Sequence, residues 1–199
     1  FNITKEEWAS QHVNKQMGLR LDKYIDLDID NDFVKYFTGD YIKKCGAIFG
    51  RKNSPTNHYL WAGTAEAKKF ILPRDFKNYT DKFSHGATLC EIRHDITQYT
   101  HEYVGNLTMD VGKLALSTAL CIIYPEEGDR DNFCTAIAGV LLSHTKWTLQ
   151  EIDEFIYRVA VEAKDHKPEE RENKGTSHSK ANRKLGMPTI AQCVGNNCS

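Results

Sequence analysis

Tyr24-Ile25-Asp26-Leu27-Asp28-Ile29-Asp30 alternates apolar and acidic residues in strict period two from Ile25 onward. That is the pattern of a β-strand with one face turned to a core. Successive side chains on a strand point to opposite faces, so Asp26, Asp28 and Asp30 share one side while Leu27 and Ile29 mark the buried one. The strand is expected to span Arg20 to Asp30. Upstream, Thr4-Lys5-Glu6-Glu7 has the form of a capping box and opens a short helix through Trp8 and Val13 that ends before Gly18. Downstream, Asn31 or Asp32 can cap a helix through Phe33, Val34 and Phe37, with Gly39 or Gly46 as its break. A second strand, Ala47 to Phe49, leads into Gly50-Arg51-Lys52-Asn53-Ser54-Pro55-Thr56-Asn57, a loop by its Gly, Pro and Asn content, and His58-Tyr59-Leu60-Trp61 resumes a strand. This predicts a hairpin with a basic tip. Residues 64 to 88 read as polar and irregular, and Leu89-Cys90-Glu91-Ile92-Arg93 as another short strand.

The pattern changes near residue 105. Met109, Val111, Leu114, Ala115, Thr118, Ala119 and Ile122 recur at helical spacing. Tyr124-Pro125-Glu126-Glu127-Gly128 is a break, and Asp129 or Asp131 caps a second apolar helix through Ala136, Val140 and Leu141. Thr148-Leu149-Gln150-Glu151 is a second capping box, leading Ile152, Phe155, Ile156, Val159 and Ala160. Pro168-Glu169-Glu170 has the chemistry to start a fourth helix, and Pro188-Thr189-Ile190 opens a last short one. The fold class expected is α+β: a sheet-bearing module over 1-105, then a small α-helical bundle over 106-199.

With 199 residues, 40% hydrophobic and 27% charged, the chain has the composition of a globular protein with a substantial core. It contains neither a membrane-span length of apolar sequence nor a signal-peptide core near its start, so an intracellular, cytoplasmic protein without membrane partners is expected. Cys45, Cys90, Cys121, Cys134, Cys193 and Cys198 form no CxxC pair, and three lie in apolar runs; they read as buried free thiols. The net charge of -1 excludes bulk electrostatic coating of nucleic acid but not a local groove. Charge is segregated: residues 1 to 40 carry five basic against eight acidic side chains, whereas residues 41 to 77 carry eight basic against two acidic. A carboxylate cluster followed by a basic segment suits a metal-and-phosphate site, and equally two solvated faces of opposite sign.

Carboxylates alternating along one strand face meet the requirement of a divalent cation pair, and hard oxygen ligands select Mg2+ or Mn2+. Asp26 and Asp28 are the candidates, with Asp30 in reserve. Arg51 and Lys52 supply cationic donors suited to a triphosphate. His58 can bond a phosphate or sit satisfied in the sheet, and Glu91 can be a third metal ligand or the partner of Arg93.

The run from Tyr24 to Asp30, then Ile48-Phe49-Gly50-Arg51-Lys52-Asn53-Ser54-Pro55-Thr56-Asn57-His58-Tyr59-Leu60-Trp61, then Leu89-Cys90-Glu91-Ile92-Arg93, resembles the three motifs of the archaeo-eukaryotic primase superfamily. The closest match is its primase-polymerase branch of phages, plasmids and mobile elements. The second half resembles the helical primase domain that follows the catalytic module there. The residues concerned are Gly128-Asp129-Arg130, Ala138 through Leu142, Lys146-Trp147, Asp165 through Arg171, and Gly186 through Ile190.

This resemblance implies a mixed-sheet catalytic module with an RRM-like core, followed by the bundle. It implies that Asp26, Asp28 and Glu91 hold Mg2+ or Mn2+ and carry catalysis, and that Arg51, Lys52, Ser54 and His58 hold the phosphates of a nucleoside triphosphate. Arg130, Lys146 and Arg171 would meet a single-stranded DNA template, and Trp147 would stack on a base or pack the bundle. The activity implied is template-directed nucleotidyl transfer by a DNA primase or polymerase, in a prokaryotic host or phage-infected cell, with a replicative helicase, fused or separate, as a partner. In the family the E-x-R strand is followed by a Gln-Thr turn, a Pro-rich Ser-x-His segment and a Gly-Glu. Here Thr97-Gln98-Tyr99-Thr100 parallels the first, and His101-Glu102-Tyr103-Val104-Gly105 then runs directly toward the bundle; Asn57 also stands where a serine is usual before His58. The shortened segment favours a second function, a non-catalytic replication-initiation module that binds nucleotide and single-stranded DNA. A metal-dependent nuclease is a third, and leaves the triphosphate-binding cations unexplained.

Overall fold

The computed structural model describes residues 24-42, 44-63, 65-71, 88-95, 106-181 and 185-195. The helix expected from Thr4, residues 20-23 of the first strand, the Thr97-to-Gly105 run and Cys198 lie outside them.

The chain is α+β. Strands β1 (Tyr24–Asp28), β2 (Ala47–Arg51), β3 (Ser54–Ala62), β4 (Lys68–Ile71) and β5 (Thr88–Asp95) form one sheet in the order β2-β3-β1-β5-β4. Every pairing among the described strands is antiparallel, which corrects the mixed sheet expected. The reason is the connection through α1 (Asp32–Tyr41): it joins β1 to β2, which run the same way, but β3 turns back from β2 and inserts between them. The parallel neighbours are thereby separated.

Alternation in β1 sorts as expected on its apolar side. Ile25, Leu27 and Ile29 join Trp61, Cys90 and Ile92 in the core. Asn31 caps α1, its side-chain oxygen accepting from the N–H groups of Phe33 (2.8 Å) and Val34 (3.3 Å). The helix runs past Gly39 to Tyr41.

Two loops predicted from composition are shorter in the fold. The β2–β3 turn is Lys52-Asn53 alone, and β3 begins at Ser54. Pro55 fits there because β1 pairs with β3 only from His58 onward, so no ladder donor is needed from Pro55 on that side. Within 64 to 88, β4 lies along β5 as an edge strand. Its sequence hid it, because of Lys68, Lys69, Phe70 and Ile71 only Phe70 is half-buried and no alternation shows.

The helical part comprises α2 (Leu107–Ile122), α3 (Arg130–His144), α4 (Leu149–Glu162), a 3-10 turn (Pro168–Arg171), α5 (Lys174–Ala181) and α6 (Met187–Gly195). The expected helix at Pro168 is thus a single turn, with α5 starting at Lys174. Thr148 and Glu151 complete both halves of the capping box on α4. Asp129 stands at the N-cap of α3 without a side-chain cap bond, and Asp131 in the first turn pairs with Arg171 instead. Gly128 takes the positive φ of 110° that its turn requires. Helix α2 packs on α1, α4, β4 and β5, while α3 packs on α4, α5 and α6. A single buried cluster runs from Leu27 and Ile92 in the sheet, through Val34 and Leu114, to Phe133 and Ile156. Cys90, Cys134 and Cys193 are buried free thiols, and burial pushes the Cys90 thiol up to about 12. No described helix is long and apolar enough to cross a membrane.

Candidate functional site

The register of the three central strands assembles the site. Asp26 stands opposite Leu60 on β3 and Arg93 on β5; Asp28 stands opposite His58 and Glu91. Directly opposed residues share a face. The face away from the Leu27 core therefore brings together Asp26, Asp28, His58, Glu91 and Arg93.

Both central carboxylates are buried, Asp26 to 4% and Asp28 to 7% exposure. His58 Nδ1 lies 3.0 and 3.2 Å from the two Asp26 oxygens and 3.8 Å from Asp28 Oδ1. With Asp26 ionised, Nδ1–H donates to it and Nε2 remains as the other polar atom of the ring. Phe49 stacks on that ring. Arg93 Nη2 lies 2.7 Å from Asp28 Oδ2 and 3.0 Å from Glu91 Oε2. Asp28 Oδ1 is buried and accepts no hydrogen bond. Burial pushes both Asp26 and Asp28 above the usual carboxylate range, against the opposing pull of His58 and Arg93. Removal from water outweighs the cations present.

Beside this face stands the β2–β3 hairpin. Arg51 and Lys52 are exposed at its tip. Gly50 sits where the β2–β3 register shifts, so close to β3 that a Cβ there would fall 2.0 Å from the Ser54 carbonyl oxygen. Lys35 on α1 donates to Ser54 Oγ (3.1 Å) and Asn57 Oδ1 (2.6 Å), the Ser54 hydroxyl also bonds Asn57 Oδ1, and Asn57 Nδ2 donates to Asp30 Oδ1 (2.7 Å). The buried Asn57 thus ties helix, hairpin and strand end together. Ser54, expected at the phosphates, and Asp30, the reserve ligand, are both held by this network, and Asp30 is exposed.

The three cations expected at the template are placed differently from one another. Arg171 is only 6% exposed; its Nε donates to Asp165 Oδ2 at 3.1 Å and its Nη1 to Asp131 Oδ1 at 3.1 Å. Arg130 Nη1 donates to Asp165 Oδ1 (3.2 Å) and His166 Nδ1 (2.8 Å). Asp165 also accepts from the Tyr124 hydroxyl (2.8 Å) and the Lys167 N–H (3.2 Å). Lys146 is exposed, on the connection between α3 and α4. Trp147 next to it packs edge-on against Phe155, centroids 5.1 Å apart, with Lys113 Nζ 4.7 Å from its own ring centroid. A cleft of about 280 Å3 opens there among Tyr41, Lys113, Trp147, Phe155 and Arg158, and no carboxylate of the sheet face lines it.

Arg93, Lys35 and Phe49 were not singled out as site residues by the sequence. Arg93 was detectable, since it stands two residues after Glu91 on a strand and must share its face; Lys35 was not, because only the packing of α1 brings it to Asn57. Among the described residues no three histidine, cysteine, aspartate or glutamate side chains converge into a ready-made metal-binding group. Comparison with models of known protein families, with curated proteins and with solved structures finds no match to this chain.

Proposed function

We propose that the chain is a DNA primase or polymerase of the primase-polymerase kind, transferring nucleotidyl groups from nucleoside triphosphates on a single-stranded template. The observation that carries this is Asp28 Oδ1, a buried carboxylate oxygen that accepts no hydrogen bond, flanked by Asp26 and Glu91 on one sheet face of which the β2–β3 hairpin with the exposed Arg51-Lys52 is part. An oxygen in that state, on an aspartate whose ionised form burial disfavours, fits the need of Mg2+ or Mn2+ for hard anionic donors. Asp26, Asp28 and Glu91 would hold the metal, which would lower the pKa of a 3′-hydroxyl and neutralise charge on the departing pyrophosphate.

The residues of the chain supply the rest. Arg51 and Lys52 meet the triphosphate, and His58 presents Nε2 to it while Asp26 and Phe49 fix the ring. The central antiparallel strands with α1 crossing between β1 and β2 are what the RRM-like core of the family would need. Lys146 is the exposed cation of the three assigned to the template, whereas Arg130 and Arg171 are held by Asp165 at the other end of α3. A replicative helicase would be the partner in initiation.

A denaturing-gel assay with single-stranded template, labelled triphosphates and Mg2+ or Mn2+ tests this. Extended products that vanish in an Asp26→Ala, Asp28→Ala double variant are expected. Shortened strands would identify a nuclease, and nucleotide or single-stranded DNA binding without extension would identify the initiation module.

A further inference from the structure

Arg93 bridges two carboxylates through one nitrogen. Its Nη2 is 2.7 Å from Asp28 Oδ2 and 3.0 Å from Glu91 Oε2, and the side chain is 44% exposed where Asp28 is 8%. The cation therefore reaches in from the open side of the sheet and ends between residues that the strand register sets directly opposite each other. Yet it satisfies only half of Asp28: Oδ1 stays buried, without a hydrogen bond, and 3.8 Å from His58 Nδ1. Asp26 is occupied by His58 on both oxygens. A monovalent, half-exposed donor thus leaves this group of acids incompletely compensated.

We infer that Arg93 is a displaceable counter-ion: it bridges Asp28 and Glu91, a divalent cation takes its place between them, and the released guanidinium turns to the open face. Because the Arg93 end of the pair is exposed, the guanidinium can exchange its carboxylates for water. A divalent cation carries twice the charge and prefers carboxylate oxygens. The planar fork of arginine, once freed, matches a phosphate. Metal loading and the exposure of a phosphate-binding cation then become one event. This inference rests on the metal site proposed above.

The sign of one substitution separates an occupant from a support. Mn2+ titration, read by electron paramagnetic resonance of the free ion, is made on the whole chain, on Arg93→Gln, on Arg93→Lys and on the Asp26→Ala, Asp28→Ala double variant. If Arg93 competes with the metal, Arg93→Gln binds Mn2+ about threefold or more tightly than the parent chain, the scale of a half-exposed ion pair, and binds Mn2+-loaded nucleoside triphosphate more weakly. Unchanged or weakened Mn2+ binding in Arg93→Gln, with the parent chain binding Mn2+ through Asp26 and Asp28, overturns the inference and leaves the proposed function standing. Absence of Asp-dependent Mn2+ binding in the parent chain removes the metal site and the inference with it. Should Arg93→Gln fail to fold, Arg93→Lys decides through the nucleotide: lysine still pairs with the two acids but lacks the fork, so Mn2+-loaded nucleoside triphosphate is expected to bind more weakly with Mn2+ affinity kept, and unchanged nucleotide binding overturns the inference.

Discussion

Phe49 lies flat against His58, with ring centroids 4.8 Å apart and planes 12° from parallel. The phenyl ring remains 40% exposed on β2, so what it does for the fold by burial is limited, and what it does for His58 is specific. With Asp26 on Nδ1 and Phe49 on its face, the imidazole has little freedom left. An aromatic pair contributes about 0.5–1.5 kcal/mol beyond burial, so Phe49→Leu is expected to weaken nucleoside triphosphate binding by roughly two- to tenfold. Phe49→Tyr retains the stack and is expected to bind as the parent does. Equilibrium binding measures both, and an unweakened Leu variant would show that the ring does not orient His58.

Gly50 and Gly39 should respond to the same substitution with opposite signs. A Cβ on Gly50 meets the β3 backbone at 2.0 Å, whereas one on Gly39, inside α1, meets nothing within 4 Å. Gly50→Ala must separate the hairpin strands and is expected to lower stability by about 1–3 kcal/mol or more. Gly39→Ala restricts the unfolded chain without a clash and is expected to raise stability by about 0.4–1 kcal/mol. Urea melts of the two variants check this pair, and equal effects would contradict the bulge at Gly50.

Two buried aspartates should also respond oppositely. Burial raises Asp26 above the usual 3.8 in spite of His58, so its ionisation works against folding as pH rises beyond that value. For Asp165 burial acts the same way but is outweighed by the Tyr124 hydroxyl, the Lys167 N–H and Arg171, which hold it below 3.8. Its contribution is complete above 3.8 and is lost as pH falls through the lower folded-state value. Asp26→Asn is therefore expected to melt higher than the parent at pH 7. Asp165→Asn, which removes the charge facing Arg171 Nε and Arg130 Nη1 while Arg171 keeps Asp131, is expected to melt lower than the parent at pH 7, with the deficit shrinking in acid. Melting both variants at pH 7 and at pH 3 tests each sign.

Lys35→Met should loosen the hairpin from α1. It removes the donor to Ser54 Oγ and Asn57 Oδ1 while Asn57 stays buried. The Ser54 hydroxyl still donates to Asn57 Oδ1, so what is lost is the bond from a charged donor, about 1.5–3 kcal/mol. Faster amide exchange confined to β2 and the start of β3 is expected, and exchange unchanged from the parent would mean that the network does not anchor the tip.

The acidic strand, the cap at Asn31, the hairpin and the capping box at Thr148 were legible because each is a local pattern with one physical solution. Leu27 and Ile29 declare a core face whatever lies against it. Lys68 to Ile71 was illegible because an edge strand with one half-buried residue carries no period. The partners of Arg171 and Ser54 were illegible for a different reason. Residue type shows that a side chain can meet a phosphate, but only the fold shows that Arg171 is already engaged by Asp165, and Ser54 by Lys35 and Asn57.

Helix α2 touches α1, α4, β4 and β5 at once, which makes it a party wall between sheet and bundle. A wall with tenants on both sides cannot be removed for one alone: severing the chain just before Leu107 would strip the sheet of one cover and deprive α4 of a neighbour. Heating should accordingly melt the sheet and the bundle in one transition, and any displacement of the bundle would be felt at β5, where Glu91 and Arg93 stand.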